Sequence, residues 1–293
     1  MDERFELVGI RPAPPERVKR AKWHEGKPVV SMAVLAVICL GCLCCRLFLS
    51  GDPAYMDLLN TNRAPDAEFL FGTDAMGRDV FSMIWYGGRI SLFIGFFAAA
   101  ISTAVAILFG AVSGLAPKWL DDILMRLTEI FLSIPNLLLV ILLQAVLGKA
   151  NVLSISFVIG VTGWTSIAKV VRTEVRQLRN SEYVIAARCM GAGFSRILLK
   201  HLTPNFVSSI MFMVVMNIRG AIVAESTLSF MGIGLPLEII SWGSILSLSE
   251  RSLQSGCWWI VLIPGLFLVA TLLCITNIGN FLRKSVNRKQ SNL

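Results

Sequence analysis

The part of the sequence that most limits the fold is residues 90–117, which contain no Asp, Glu, Lys or Arg. About 20 mainly apolar residues in a helix cross a hydrocarbon core about 30 Å thick, so this stretch predicts a transmembrane helix. Five similar stretches predict further spans: 28–45, 130–148, 150–168, 205–224 and one within 252–282. Only 16% of the residues are charged, against about 25% in soluble domains. We therefore expect an all-α, polytopic membrane protein with six transmembrane helices.

The basic residues predict how the chain is oriented in the membrane. With the amino terminus inside, twenty of the 27 Lys and Arg residues fall on the cytoplasmic side and seven outside. Cytoplasmic loops of membrane proteins carry such an excess, so we expect a multi-pass protein of the plasma (inner) membrane with both termini in the cytoplasm. Topology also accounts for the net charge of +8, which therefore does not indicate nucleic-acid binding.

The spans and loops divide the chain into five segments. The first apolar run follows a charged and polar leader and precedes no small-residue cleavage site, so we expect it to remain as an anchor. The predicted segments are a cytoplasmic leader at 1–27, a first transmembrane helix at 28–49, an extracytoplasmic loop at 50–86, a five-helix transmembrane domain at 87–282 with a cytoplasmic loop at 172–205, and a cytoplasmic tail at 283–293.

The sequence offers little material for catalysis. It lacks the phosphate-binding G-x-x-x-x-G-K-[ST] loop, the G-x-S-x-G nucleophile elbow and the H-E-x-x-H metal pair. Its two histidines, His24 and His201, lie outside the predicted spans. The cysteine cluster at 42–45 is interpreted as core packing, because a thiol in an apolar segment behaves as a small hydrophobic group. We predict no enzyme activity, no catalytic residue, no metal site and no cofactor.

The number of charged residues in the spans tests another possible function, that of an ion-coupled carrier or channel. Such a protein needs ionisable groups near the middle of the membrane, and five of the six predicted spans have none. Arg219 and Glu225 fall within or beside the fifth span. Glu225 and Ser229 are candidate residues of a solute path, while the alternative for Glu225 is a position near water at the outer end of its span.

Three features predict local structure within or beside the spans. Gly110 and Gly114 form a G-x-x-x-G pattern that allows two helices to approach closely. Pro135, near the start of the third span, predicts that this helix bends or restarts. Trp258 and Trp259 predict a belt at the membrane–water interface.

The cytoplasmic loop predicts a contact with another protein. Residues 172–201 indicate a helical, polar and basic segment. Ala186, Ala187 and Gly191 supply small side chains where a short helix can dock into a groove. A loop needed only for topology would explain the basic charge but not these small residues. A pore subunit without a nucleotide site or coupling charges must receive its energy through contact with a partner.

This loop resembles the EAA loop of binding-protein-dependent ABC permeases, in the version of the dipeptide, oligopeptide and nickel importers. The residues that carry the resemblance are Glu182, Tyr183, Val184, Ala186, Ala187, Arg188, Gly191, Ala192, Arg196, Ile197, His201, Pro204 and Asn205. Stretches within 71–92, 224–243 and 258–266 resemble the same subfamily. The resemblance covers about residues 70–282 and implies the type I ABC importer permease fold.

In that family the loop forms coupling helices that dock on the ATPase subunit. The resemblance therefore implies ATPase coupling for Glu182, Ala186, Ala187, Gly191, Arg196, His201 and Pro204. Ile185 stands where many members carry Glu, so no ionic contribution is expected at that position. A bulky substitution at Gly191 is predicted to uncouple transport by disturbing the docking.

The resemblance also implies partners and a substrate class. The expected partners are a second, different permease subunit, cytoplasmic ATP-binding subunits, an extracytoplasmic solute-binding protein and the lipid bilayer. The predicted function is a permease subunit that forms half of the membrane path for uptake of di- and oligopeptides. Import of nickel or a metal chelate by the same machinery is the alternative, because the binding protein largely selects the solute.

The outer loop between Arg46 and Arg89 suits a docking surface for the binding protein. Its acidic residues either pair with basic patches on that protein or keep the loop soluble, and we favour solubility because exposed ion pairs contribute little. These residues are Asp52, Asp57, Asp66, Glu68, Asp74 and Asp79.

Overall fold

A computed structural model of the protein describes residues 28–49, 51–193, 196–236, 238–248, 252 and 256–290, without the side chains of 201, 205 and 287–290. The predicted leader at 1–27 and the last residues of the predicted tail lie outside the described residues. The described helices are α1 Val29–Phe48, α2 Val80–Leu115, α3 Lys118–Ser133, α4 Asn136–Leu147, α5 Val152–Thr162, α6 Thr165–Leu178, α7 Glu182–Cys189, α8 Thr203–Phe230, α9 Trp242–Ser247 and α10 Trp259–Gln290. The described residues contain no β-strand, so the chain is all-α as predicted.

Among the described residues, four helices are long and apolar enough to cross a membrane singly: α1, α2, α8 and α10. Two pairs of shorter helices pass the same test together, namely α3 with α4, bent by 93°, and α5 with α6, bent by 46°. Counting each bent pair as one span gives the six predicted spans. The bends, however, put helix ends where continuous spans were expected.

Helix α2 begins at Val80, ahead of the predicted span 90–117 and inside the predicted loop 50–86. The Asp79 carboxylate caps it by accepting hydrogen bonds from the backbone N–H groups of Phe81 and Ser82, at 3.2 and 3.0 Å. The span prediction stopped at Arg89 because it required a run without charge. With 36 residues, α2 is about 54 Å long at 1.5 Å per residue, so it extends beyond the hydrocarbon core.

The third predicted span, 130–148, is wrong at its start. Helix α3 ends at Ser133, and α4 begins at Asn136 directly after Pro135. Proline has no backbone N–H and disfavours helical geometry in the residue before it, and Ile134 is extended accordingly. The predicted bend or restart at Pro135 is therefore confirmed, but the whole of α3 was not predicted as a separate helix.

The fourth predicted span, 150–168, is also divided. Helix α5 ends at Thr162, and α6 begins at Thr165 after Gly163 and Trp164. Because α6 continues to Leu178, the predicted cytoplasmic loop 172–205 starts within a helix. The fifth span is longer than predicted, since α8 runs without a break through Arg219 and Glu225 to Phe230.

The close packing predicted for the G-x-x-x-G pattern is confirmed between α2 and α6. A Cβ added to Gly110 would lie 2.6 Å from the carbonyl oxygen of Ala168, and one added to Gly114 would lie 2.7 Å from Cγ1 of Val175. Both distances are too short for a side chain, so the backbone of α2 lies directly against α6. Helix α2 also contacts α5 and α8, which makes it the central helix of the described chain.

The outer loop folds back onto the start of α10. The indole Nε1 of Trp259 donates a 3.1 Å hydrogen bond to the carbonyl oxygen of Thr73. Trp259 is 7% exposed, whereas Trp258 is 53% exposed. The interface belt was therefore the wrong interpretation for Trp259, because its ring is buried against the loop. Gly72 permits this contact, since it has φ +71° and an added Cβ would lie 2.7 Å from the Trp259 nitrogen.

The acidic residues of the outer loop hold its own structure, which neither of the two sequence interpretations proposed. Asp74 is buried and accepts a 2.8 Å hydrogen bond from Nε of Arg78. Asp66 accepts from the backbone N–H groups of Phe69 and Glu68 and from Arg63, and these contacts lower its pKa below the usual value. The other local acceptors are Asp52, Asp57, Glu68 and Asp79.

The cysteines support the packing interpretation in the membrane segments. Cys42, Cys45, Cys257 and Cys274 are each at most 7% exposed. Cys189, by contrast, lies at the end of α7 and is exposed.

Candidate functional site

Helix α7 is the first of two candidate sites, and one of its faces is fixed to the rest of the chain. Val184 and Ala187, one helical turn apart, are 0% and 3% exposed. Val184 belongs to a buried apolar cluster with Val175 of α6 and Leu202, which directly precedes α8. An eight-residue helix is not stable alone, so this burial is what positions α7.

The opposite face of α7 is open to the surroundings. Ile185 is 49% exposed, Met190 just after the helix is 80% exposed, and Glu182, Ala186 and Arg188 are exposed as well. The structure therefore separates the two predicted docking alanines, because Ala186 faces outward and Ala187 faces the chain's own core. Ala187 holds the helix in place and does not line its outer face.

Gly191 ends α7 in the left-handed conformation, with φ +80°. Its N–H donates to the carbonyl oxygen of Arg188 at 2.9 Å, and the N–H of Ala192 donates to that of Ala187 at 3.0 Å. These two bonds form a Schellman motif, which favours glycine at this position. A Cβ added to Gly191 would meet no atom within 4 Å, so within this chain the glycine is needed for its backbone angle.

The remaining predicted coupling residues lie after α7, in the segment that leads into α8 and in its first turn. Arg196 is exposed just before a π-helical turn, Ile197–Leu202. Pro204 is exposed in the first turn of α8, where its missing N–H is not needed. His201 lies in the π-helical turn, and its side chain is outside the described residues. The exposed predicted residues therefore line one continuous stretch of chain that leads into α8.

A buried carboxylate that the sequence analysis missed, Asp121 of α3, fixes the end of α6 beside this stretch. Asp121 is 2% exposed. It accepts hydrogen bonds from Nε and Nη2 of Arg172 at 2.5 and 2.6 Å, and from Nη1 of Arg176 at 3.2 Å. Ser113 of α2 donates a further bond at 2.6 Å. The spacing of the basic residues at 172, 176 and 179 on one helical face was the available signal.

The second candidate site is a buried polar cluster around Glu225 of α8. The carboxylate is 0% exposed and accepts hydrogen bonds from four serine hydroxyls. Ser241 and Ser229 donate to Oε1 at 2.7 and 3.0 Å, while Ser91 and Ser226 donate to Oε2 at 3.0 and 3.4 Å. The described residues provide no cationic partner for it. Hydroxyl dipoles therefore satisfy the buried carboxylate.

The segment around α9 completes this cluster. The backbone N–H of Trp242 donates to the Ser91 hydroxyl at 3.2 Å, and its indole Nε1 donates to the Ile84 carbonyl at 3.0 Å. A Cβ added to Gly243 would lie 2.6 Å from Cα of Ser226. The cluster thus joins α2, α8 and α9 through the three sequence stretches that contain residues 91, 225 and 241.

These contacts change both interpretations of Glu225. Its carboxylate does not lie near water, and in this conformation it does not face an open path either, because the subunit's own helices enclose it. Ser229 is 3% exposed and is likewise enclosed. Sequence reasoning missed Ser91 and Ser241 as partners, although both lie in stretches that carry the family resemblance.

Comparison with known proteins identifies the family of the chain. Residues 106–291 match the family described as the binding-protein-dependent transport system inner membrane component. The chain belongs to that family. The oligopeptide transport system permease protein OppC of Bacillus subtilis is 37% identical over 251 residues, covering 86% of this chain and 80% of the relative.

Two further relatives of this permease family extend the comparison. The dipeptide transport system permease protein DppC of Bacillus subtilis is 38% identical over 232 residues, which cover 79% of this chain and 72% of the relative. The OppC protein of Haemophilus influenzae is 34% identical over 273 residues, covering 92% of this chain and 87% of the relative. The predicted resemblance is therefore confirmed, and these relatives are named for peptide transport.

The family match spans most of both candidate sites in this permease. It includes α7, the π-helical turn, α8 and α9, but it begins inside α2. Ser91 and the outer loop therefore precede the matched residues. The alignments with the relatives cover more of the chain than the family match does.

Proposed function

We propose that this permease forms half of the membrane path of an ATP-driven importer of di- and oligopeptides. The family match and the names of the relatives support a peptide substrate, and neither those names nor the contacts described above favour nickel or a metal chelate. The observation that carries the proposal is the exposed apolar face of α7. The proposed partners are a second permease, ATP-binding subunits and an extracytoplasmic solute-binding protein.

The exposed face of α7 supports docking of an ATP-binding subunit. Ile185 on α7 and Met190 directly after it expose large apolar side chains, and this short helix lies outside the candidate spans. Apolar surface of this kind on a polar segment is typical of a protein interface. Ile185, which replaces the family's usual Glu, then contributes apolar contact in place of an ionic one.

The contacts behind α7 provide a route by which movement of an ATP-binding subunit reaches the spans. The π-helical turn leads directly into α8, and its residues Ile197 and Leu198 pack in one buried cluster with Val184 of α7. The ion pairs of Asp121 connect α6 to α3, and its bond to Ser113 reaches α2. A rigid displacement of α7 would therefore be transmitted to α2 and α8, which also meet at Glu225.

The same proposal assigns the two sides of the membrane. With α7 in the cytoplasm, both termini lie inside, and the folded outer loop and α9 lie on the extracytoplasmic side. The outer loop then offers a surface to the solute-binding protein. ATP hydrolysis belongs to the separate ATP-binding subunits, so this chain alone should transport no solute when it is reconstituted into liposomes.

Retention of the ATP-binding subunits during purification tests the proposed docking. In the complete transporter, Ile185→Asp places a charge in the apolar contact, and we expect retention to fall about tenfold, as removal of one well-buried side chain does at interfaces. Leu70→Asp is the control, because Leu70 is 59% exposed but lies in the outer loop. Equal retention in the two variants would contradict docking on α7.

Coupling through α7 can be tested separately at its carboxyl end. Gly191→Ala forces a residue with Cβ into the left-handed region, which costs about 1–2 kcal/mol, and should lower peptide-stimulated ATP hydrolysis several-fold without preventing membrane insertion. Gly193→Ala should leave hydrolysis unchanged, because Gly193 has no positive φ and open space around it. The hypothesis fails if the two variants behave alike.

Identifying the substrate requires a transport measurement on the complete transporter. Proteoliposomes with both permeases, the ATP-binding subunits and the solute-binding protein should accumulate a labelled tripeptide only when ATP is supplied. Accumulation of radioactive nickel with no tripeptide uptake would favour the metal alternative, and tripeptide uptake without ATP would favour an ion-coupled carrier.

A further inference from the structure

Arg219 lies near the middle of a membrane span. The apolar part of α8 extends from Phe206 to Phe230. At 1.5 Å per residue, Arg219 is about 20 Å from Phe206 and about 16 Å from Phe230 along the helix axis. A charged residue at this depth is costly unless it faces a water-filled cavity or a partner. The Arg219 side chain is therefore expected to face water or a partner group.

The described residues of the permease provide no partner for this guanidinium. Arg219 is exposed, and among the described residues none makes an ion pair or hydrogen bond with its side chain. A Cβ added to the neighbouring Gly220 would meet no atom within 4 Å. The surface of α8 around Arg219 is therefore open.

From Leu262 to Leu273, the exposed face of α10 carries only apolar side chains. Leu262, Leu266, Val269 and Leu273 are each more than half exposed and follow one another at helical spacing. The open face of α8 also carries large apolar side chains, namely Met211, Val223 and Phe230. It differs from the α10 face in that Arg219, Gly220 and Ser208 are exposed among them.

We propose that Arg219 projects into the water-filled solute path between the two permeases and binds the carboxylate of the passing peptide. The inference rests on the proposed function as a peptide importer. A guanidinium forms two parallel hydrogen bonds with a carboxylate and is hydrated when the site is empty. Glu225 does not neutralise it, because the Glu225 carboxylate is enclosed and already accepts hydrogen bonds from four serines.

An open path favours a solute carboxylate over an acidic residue of the second permease. A permanent ion pair between the subunits would remove both charges from water, which often outweighs their attraction. A solute contact has only to form and break as the peptide passes, and a hydrated site allows both steps. The proposal therefore predicts that Arg219 is accessible to water in the assembled transporter.

Cysteine labelling tests this accessibility in the complete transporter. Arg219→Cys and Leu266→Cys are made in a chain with Cys189→Ser, and both are treated with a charged, membrane-impermeant thiol reagent. We expect labelling of the cysteine at 219 at least tenfold faster than of the cysteine at 266, because thiolates form in water and not in lipid. Equal, slow labelling would overturn the proposal, since it would put position 219 in lipid or a dry subunit contact.

Peptide uptake tests the recognition of the carboxylate. The measured quantity is the ratio of initial uptake rates for a labelled tripeptide with a free carboxyl terminus and for its amide. Arg219→Gln should lower this ratio about tenfold, the loss expected for a charge-assisted hydrogen bond, and Arg219→Lys should recover part of it. The contribution of the binding protein is the same in all variants, so it cancels in the comparison.

Arg126→Gln is the matched control, because Arg126 is an exposed arginine of α3 whose ion pair with Glu129 lies on the surface. It should leave the uptake ratio unchanged. An unchanged ratio in Arg219→Gln would overturn carboxylate binding. Loss of the second permease from purified Arg219→Gln transporter would also overturn it and assign Arg219 to the subunit contact.

The two proposals fail in different ways. If the wild-type transporter takes up neither tripeptide, the proposed peptide substrate is wrong, while fast labelling of the cysteine at 219 still supports a hydrated path. If uptake is normal but the cysteine at 219 is protected from the reagent, the peptide importer stands and the role of Arg219 is wrong.

Discussion

Arg219 and Glu225 are six positions apart on the same helix, but their side chains have opposite environments. They lie about 120° apart around α8, at 100° per residue. Glu225 is fully buried and held by four hydroxyls, whereas Arg219 is exposed and has no partner among the described residues. The Glu225 side chain is bound by residues of its own chain, and the Arg219 side chain remains open to contacts outside the described residues.

This difference shows that a charge within a span has no single meaning. In the sequence, Arg219 and Glu225 fall within or beside the fifth span, and Glu225 was a candidate either for a solute path or for a position near water. In the structure the Glu225 carboxylate is enclosed and the Arg219 guanidinium is exposed, so the path role is proposed for Arg219. The difference between the two residues can be tested by measuring the free energy of unfolding and the peptide uptake of variants at each position.

The largest expected effect is on stability at Glu225. Glu225→Ala removes the acceptor of four hydrogen bonds and leaves a cavity, so the free energy of unfolding should fall by about 3–5 kcal/mol. Glu225→Gln keeps one carbonyl acceptor and should lose about 1–2 kcal/mol. Denaturant unfolding of the purified permease in detergent measures both. A loss below 1 kcal/mol in Glu225→Ala would show that the serine cluster does not support the fold.

An intermediate effect is expected at Asp121, the other buried carboxylate. Asp121→Ala leaves the guanidinium of Arg172 without its partner, and Arg172 is only 21% exposed at its side chain. The free energy of unfolding should fall by about 2–3 kcal/mol. Asp122→Ala is the control in the same unfolding assay, since Asp122 is the adjacent, exposed carboxylate and should change stability by less than about 0.5 kcal/mol. Similar losses of unfolding free energy in both variants would show that the ion pairs of Asp121 do not stabilise the fold.

The smallest effect on stability is expected at Arg219. Arg219→Gln removes no contact within the described chain, so the unfolding free energy of the isolated permease should change by less than about 0.5 kcal/mol, while peptide uptake by the complete transporter changes. The same detergent unfolding assay provides the comparison. If Arg219→Gln destabilised the chain as much as Glu225→Gln, the two residues would not differ in the way the contacts indicate.

Local sequence signals predicted some elements well and others poorly. The bend at Pro135 followed from the chemistry of one residue, and the packing of Gly110 and Gly114 followed from the absence of side chains. The helix start at Val80 was missed because a rule based on uncharged runs ends at Arg89, although a helix can continue into water. Trp259 was misassigned because burial by a distant loop leaves no mark on the residue's neighbours in sequence.

In the candidate sites, too, the sequence predicted some features and missed others. The sequence pointed to α7 and to Gly191, since short-range spacing and backbone preference are local properties. It could not tell that Ala187 faces inward while Ala186 faces outward, because the direction is set by the cluster around Val184. The partners of Asp121 and Glu225 are separated from them by as many as 134 positions, and no local pattern specifies such pairs.

The amino-acid sequence was sufficient to predict an all-α membrane protein of the binding-protein-dependent permease type, because a hydrocarbon core requires long apolar helices and the loop motif is short and contiguous. Only the packed structure shows which ionisable side chains are enclosed and which are exposed. Burial depends on how separate helices pack against one another, and that packing alone gives Glu225 its four serines and leaves Arg219 exposed.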